Sequence, residues 1–198
     1  MTRLFVFARH GQSVFNVERR VNGDPAKENP LSEQGAEEAR LLGDQLRNIP
    51  IEAGIHTRFP RTRETLELAL GGRGVPLACE PLLDDIDVGE LDCKTIDEYR
   101  AWKRAHTRGD AFPGGESLDD AARRYAAAFR NLIARPEQTL LVVCHEIPLR
   151  YAVNAAADSD SLDAPIHDIR NASPYLFDES SLAHAAEVVD RLAGRVAA

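Results

Sequence analysis

Three short stretches of the chain carry residue types that suit one another's chemistry. In LFVFARHGQSVFN, residues 4 to 16, an apolar run from Leu4 to Ala8 ends in Arg9, His10 and Gly11. In TRFPR, residues 57 to 61, Arg58 and Arg61 follow the short apolar run Ala53 to Thr57. In TLLVVCHEIPLRY, residues 139 to 151, an unbroken apolar run delivers His145 directly after Cys144. Guanidiniums make bidentate, charge-assisted bonds to phosphate oxygens and stay charged at any working pH. A neutral imidazole nitrogen can attack phosphorus, and the resulting phosphohistidine is labile enough to pass its group to water. Phosphoryl transfer is helped chiefly by positioning and charge stabilisation, with a carboxylic acid to protonate the departing alkoxide. Taken singly, each residue has a plainer role: a histidine ending a strand is a satisfied structural group, and Arg61 and Arg63 are solvated charges on a helix face. Only convergence of the three stretches makes a site.

The surrounding elements supply that convergence. Leu4 to Ala8, Ala53 to Thr57, VPLACE from Val75, TLLVVCH from Thr139 and NASPYLF from Asn171 read as strands. A polar loop is expected over residues 9 to 31. Ser32 then caps a helix with Ala36, Ala39, Leu42 and Leu46 on one stripe. Pro60 suits the first turn of a helix ending at Gly71-Gly72. TIDE, residues 95 to 98, has capping-box spacing and opens a helix through Trp102. Ser117 caps a helix to about Ala134, Pro148 starts another, and SLAHAAEVVDRLAG closes the chain as a helix. Strands alternating with helices predict an α/β three-layer αβα sandwich with a mostly parallel sheet. Ligands of such sheets bind at the carboxyl ends of the strands, where Arg9, His10, Arg58, Arg61 and His145 are all delivered.

With 198 residues and no repeat or linker, residues 1–198 read as a single domain. The 43% hydrophobic and 28% charged fractions are those of a soluble globular protein. A formal net charge of −8 argues against nucleic acid or an anionic membrane as partner, but leaves room for a locally basic pocket and a small phosphorylated substrate. No apolar stretch reaches signal-peptide or membrane-spanning length, and cytoplasm is the expected location. Cys79, Cys93 and Cys144 are odd in number and unpaired in spacing, and buried free thiols are expected. HExxH and CxxC spacings are missing, and Cys144-His145-Glu146 are adjacent and point in different directions, so neither metal nor cofactor is expected. His56, His106, His167 and His184 lack any motif and read as structural. Oligomeric state stays open.

RHGQS, residues 9 to 13, with Asn16 downstream, resembles the signature of the histidine phosphatase superfamily, the phosphoglycerate-mutase-like proteins. The likeness extends over roughly residues 3 to 177. NPLSEQGAEEA, TRFPRTRET, FPGGESLDDAARR, VVCHEIPLRY and RNASPYLF follow in the family's order, with Thr57 in the Ser position of its S-x-L-x-R-x-x-x-T pattern. The resemblance implies that His10 is a nucleophile that becomes phosphorylated, and that Arg9, Arg61 and His145 bind the transferring phosphoryl group. It makes Asn16, Asn22 and Gly23 secondary contacts to phosphate or substrate. The family's acid is usually a Glu four residues before a Gly; in LDDIDVG that place is taken by Asp85, with Gly89 as the anchor and Asp87 as the next candidate. Asp84 reads as part of an acidic surface loop.

Three departures stand out. Asp85 is one methylene shorter than Glu. Glu146 follows the second histidine where the family usually has Gly, and would repel an anion or select a cation if it faced the pocket. Cys93 takes a place commonly held by Gly, read as a packing change. The resemblance implies a phosphomonoesterase first. A phosphoglycerate mutase shares the histidines but tends to carry closing segments that are missing here, and a non-catalytic phospho-ligand-binding module is the remaining alternative. Specificity is expected from residues 17 to 31 and from Trp102 to Gly115.

Overall fold

The computed structural model describes residues 2–194. Its five strands are β1 (Leu4–Arg9), β2 (Ala53–His56), β3 (Leu77–Cys79), β4 (Thr139–Cys144) and β5 (Pro174–Asp178). They form one sheet in the order β3-β2-β4-β1-β5, parallel except for β5, which runs antiparallel to β1. Phe5, Phe7, Leu140, Val142 and Cys144 point to one face, and Val6, Ala8, Leu141 and Val143 to the other. Both faces are covered, so β1 and β4 are apolar without alternation.

Helices α2 (Glu33–Gln45) and α3 (Pro60–Leu70) pack on the Val6 face through Leu42, Leu46, Leu66 and Leu70. On the Phe7 face lie α5 (Leu118–Ile133), α6 (Glu146–Ala156) and α7 (Glu179–Leu192), with Phe129, Tyr151 and Val189 fully buried. Local signals start and stop these helices. Ser32 accepts from the Gly35 N–H, Pro60 occupies the first turn of α3, and Gly71 ends it in the left-handed conformation at φ 55°. Thr95 and Glu98 form the expected capping box of α4 (Ile96–Ala105). Among the described residues, no helix is long and apolar enough to cross a membrane.

Three local expectations need correction. The loop over residues 9 to 31 contains a four-residue helix, α1 (Val14–Val17), closed by a capping box between Ser13 and Asn16. Helix α6 starts at Glu146 rather than Pro148, with His145 as its N-cap. A proline within the first turn removes no intrahelical bond, so Pro148 sits inside without penalty. Of the three free cysteines only Cys144 is buried, while Cys79 is exposed and Cys93 half-buried. Cys93 has φ 63°, a conformation that glycine adopts without strain.

Register decides what reaches the edge of the sheet. Arg9 of β1 lies beside Cys144 of β4, so His10 and His145 leave the sheet next to one another. The His10 N–H donates to the Cys144 carbonyl at 3.0 Å and ties the two strand ends together. Gly11 is required just beyond, because a Cβ there would lie 2.3 Å from the Gly35 carbonyl oxygen at the start of α2. The chain therefore passes from strand to site through a backbone-on-backbone contact that only glycine permits.

Candidate active site

Arg61, on the first turn of α3, is the hub. Its Nε lies 3.0 Å from His10 Nε2, its Nη1 2.5 Å from Asn22 Oδ1, and its Nη2 3.1 Å from both His145 Nδ1 and Asp85 Oδ2. The guanidinium also covers the Phe59 ring at 4.4 Å, and that ring meets His145 edge-on at 4.7 Å. The two imidazoles are 5.4 Å apart, and both are buried. Thr65 holds α3 against the signature loop, accepting from the Gly11 N–H at 2.9 Å and donating to the Arg61 carbonyl at 2.7 Å.

Partner chemistry assigns the tautomers. His10 Nδ1 lies 2.7 Å from the Gly11 carbonyl oxygen, which can only accept. Nδ1 therefore carries the proton, and Nε2 keeps its lone pair. For His145 the assignment runs through two threonines. Thr62 donates to the Phe59 carbonyl at 2.8 Å and accepts from the Thr57 N–H at 3.1 Å. Thr57 in turn donates to Thr62 Oγ1 at 3.0 Å, leaving its own oxygen to accept from His145 Nε2 at 3.0 Å. His145 Nδ1 is then unprotonated and faces Arg61 and Asp85.

Burial, followed by the Arg61 charge, holds both histidines well below the usual imidazole range, so each is neutral near pH 7. Burial also lowers Arg61, but only to about 10, and it stays charged. Asp85 moves the other way. Burial raises its carboxyl above the ordinary value against the pull of Arg61, and Glu146 adds to the rise. A carboxyl that takes up a proton more readily than an ordinary one stands 3.4 Å from His145.

His10, Arg61 and Asp85 line one cavity of about 570 Å³, together with Arg9, Asn16, Arg20, Asn22, Asn29, Tyr99, Arg100, Lys103, Arg104, Glu146, Arg150 and His167, while His145 is buried behind that wall against Arg61. Arg9, His10, Arg61, His145 and Asp85 are thus brought together. Asn22 bonds Arg61, whereas Asn16 lines the wall with its Oδ1 accepting from the Ser13 N–H at 3.0 Å. Gly23 is not on this wall: its N–H donates to Asp92 at 2.7 Å and is not free for a ligand. Arg58 departs from its expected place at the site, donating to Asp84 at 2.5 Å. Asp84 is accordingly buried, not a surface residue. Asp87 is exposed and accepts from the Gly89 N–H at 2.9 Å. Glu146 faces the cavity but spans Arg9 at 3.1 Å and Arg150 at 2.9 Å, so its charge is balanced in place.

Reading the sequence missed Thr62, Arg150, His167 and the α4 residues ahead of Trp102. Arg100, Lys103 and Arg104 have i, i+3, i+4 spacing, a readable signal of one helix face. His167 lies in a loop without periodicity and offered none. Among the described residues, no group of three or more His, Cys, Asp or Glu is placed to hold a metal ion.

Residues 5–187 match the histidine phosphatase superfamily (branch 1). A protein of Salmonella choleraesuis named "Probable phosphoglycerate mutase GpmB" is 30% identical over 149 residues, 71% of this chain and 68% of the relative. Among solved structures, Bacillus stearothermophilus YhfR superposes with a TM-score of 0.77 at 28% identity, over 87% of this chain and 89% of the other. The alpha-ribazole phosphatase of Shigella flexneri shares the fold, with a TM-score of 0.76 at 20% identity over 87% of this chain and 89% of the other. With the matched region running from β1 into α7 and the site at its strand ends, the chain belongs to the histidine phosphatase superfamily.

Proposed function

We propose that this protein is a phosphomonoesterase that works through a phosphohistidine on His10 and needs no metal. The observation that carries the reading is His10 itself: neutral, fixed by Gly11 as the Nδ1–H tautomer, with Nε2 aimed at Arg61. An entering phosphoryl group takes up the Arg61 and Arg9 N–H groups with its oxygens and frees the Nε2 lone pair. Nε2 then attacks phosphorus as the bond to the ester oxygen breaks, and the Asp85 carboxyl gives its proton to that oxygen. Charge gathering on the phosphoryl oxygens meets Arg9 and Arg61, already in place, and the incoming dianion favours a proton on His145 Nδ1, which then donates as well. In the second half, Asp85 as carboxylate takes a proton from water while that water attacks phosphorus. The N–P bond breaks, phosphate leaves, and His10 is restored.

Rapid quench with labelled substrate tests this. An acid-labile, alkali-stable phosphoryl adduct should appear on His10, and chelators should leave turnover intact. Undiminished turnover of p-nitrophenyl phosphate by His10→Ala overturns the proposal. The GpmB likeness favours a second reading, transfer of the group to another hydroxyl instead of water. Isomerisation of 3-phosphoglycerate faster than its hydrolysis would select it.

A further inference from the structure

Glu146 is out of place in a cavity that takes a phosphoryl group. It stands directly after His145, where the family usually has Gly, and it lines that cavity. A helix N-terminus favours an acid in its first turn, but such an acid is free to turn to solvent. Here the carboxylate turns inward instead, with Oε2 3.1 Å from Arg9 Nη1. Its Oε1 accepts from Arg150 Nη1 at 2.9 Å, one turn further along α6. Arg150 is anchored as well: its Nη2 donates to Asp163 at 3.3 Å, and Asp163 also accepts from Arg108. Arg108 donates to Asp119 and to the buried Tyr151 hydroxyl, both at 3.1 Å. Charges thus alternate from Arg9 through Glu146, Arg150, Asp163 and Arg108 to Asp119 in the first turn of α5.

The protein grips Arg9 by one nitrogen. Nη1 donates to the Ile169 carbonyl at 2.9 Å and lies beside Glu146. Nε is buried with no hydrogen-bond partner, and among the described residues none accepts from Nη2. Nε and Nη2 form an edge of the guanidinium whose two parallel N–H groups fit two oxygens of one anion. A buried charged donor without an acceptor costs free energy, and an arriving phosphoryl oxygen offsets that cost. Resting on the phosphomonoesterase reading, we infer that Glu146 is a positioning residue, fixing the direction of the Arg9 guanidinium so that its free Nε and Nη2 edge meets the phosphoryl oxygens. Arg150 and Asp163 hold Glu146 in place, and Arg150 also balances a charge that would otherwise repel the incoming group. Without Glu146 the Arg9 guanidinium keeps only the Ile169 carbonyl and regains torsional freedom, which phosphoryl binding must then remove.

The test is a double-mutant cycle with Arg9→Ala, read on p-nitrophenyl phosphate, whose leaving group needs no proton. Glu146→Ala should lower kcat/KM about tenfold, the scale of one charge-assisted contact. Glu146→Gln keeps one oxygen to accept from a guanidinium and should fall between Glu146→Ala and the wild type. In the Arg9→Ala background neither change should cause a further loss, because no guanidinium remains to be directed. Asp163→Asn should give a smaller loss that likewise vanishes without Arg9. Equal losses in both backgrounds overturn the inference, since they mark an effect through the fold or through Asp85, whose carboxyl Glu146 also raises. A rise in kcat/KM for Glu146→Ala overturns it as well, because Glu146 would then only repel the anion. If Glu146→Ala melts early, the Glu146→Gln cycle decides alone. The phosphatase reading is judged separately, by wild-type turnover and its loss in His10→Ala. If that turnover is absent, the same cycle is run on Kd values for vanadate.

Discussion

Arg61 and Arg104 line the same cavity in opposite circumstances. Arg61 is 3% exposed, and each of its three side-chain nitrogens has a partner among His10, Asn22, Asp85 and His145. Arg104 stands in solvent on a helix with no fully buried residue. The inner group was ordered and desolvated when the chain folded, so it has little left to reorganise when charge builds on a phosphoryl group. The outer group still has its side-chain freedom and hydration, and a change there costs the fold little.

The largest effect should come from Asp85, the proposed proton donor of the inner region. Asp85→Asn should slow alkyl phosphate hydrolysis by about 10²–10⁴, the usual range for general acid catalysis. It should cost p-nitrophenyl phosphate much less, since p-nitrophenolate departs without a proton. Equal losses on both substrates would make Asp85 a positioning group only.

Next come Arg61 and His145, the proposed donors to the phosphoryl group. Arg61→Ala and His145→Ala should each lose about 10²–10³ in rate, as removal of one preorganised donor typically does. Both should lose vanadate affinity while remaining folded. Vanadate binding at wild-type strength alongside a lowered melting temperature would assign them to the fold instead, and erase the contrast with Arg104.

Acid should separate the two regions by a smaller margin. His10 and His145 are lowered in the native protein, so below the unfolded value near 6.5 the unfolded chain binds more protons and stability falls with pH. Each buried neutral histidine can contribute about 1.4 kcal/mol per pH unit there. Asp85, raised in the native state, opposes this between its unfolded and native values. Denaturant titrations at pH 7 and 5 should show a drop that His10→Asn with His145→Asn reduces and Arg104→Gln leaves alone. An identical slope in all three proteins would mean that the imidazoles are not held neutral.

The elements were largely legible because their signals are local. Ser32, Pro60, Gly71 and the Thr95–Glu98 pair act on their own turns, and β4 announces its two-sided burial through an apolar run needing no knowledge of its neighbours. The missed start of α6 is local too, but there Pro148 marked a position in the first turn and not its first residue.

The site was legible only in part. Residue types at strand ends, with the resemblance, named Arg9, His10, Arg61, His145 and Asp85 from sequence alone, because each must follow a strand or precede a packing glycine such as Gly89. Residue type left Arg61 and Arg58 alike and only the resemblance picked Arg61; the structure supplies the physical reason, with Arg58 turned onto the buried Asp84. It alone showed Glu146 neutralised by Arg9 and Arg150, and brought His167 to the same wall as α4. Charge balance and cavity shape are sums over groups far apart in the chain. Helix caps and strand runs are set by neighbours a few residues away, and that difference in range is why one could be read and the other had to be folded.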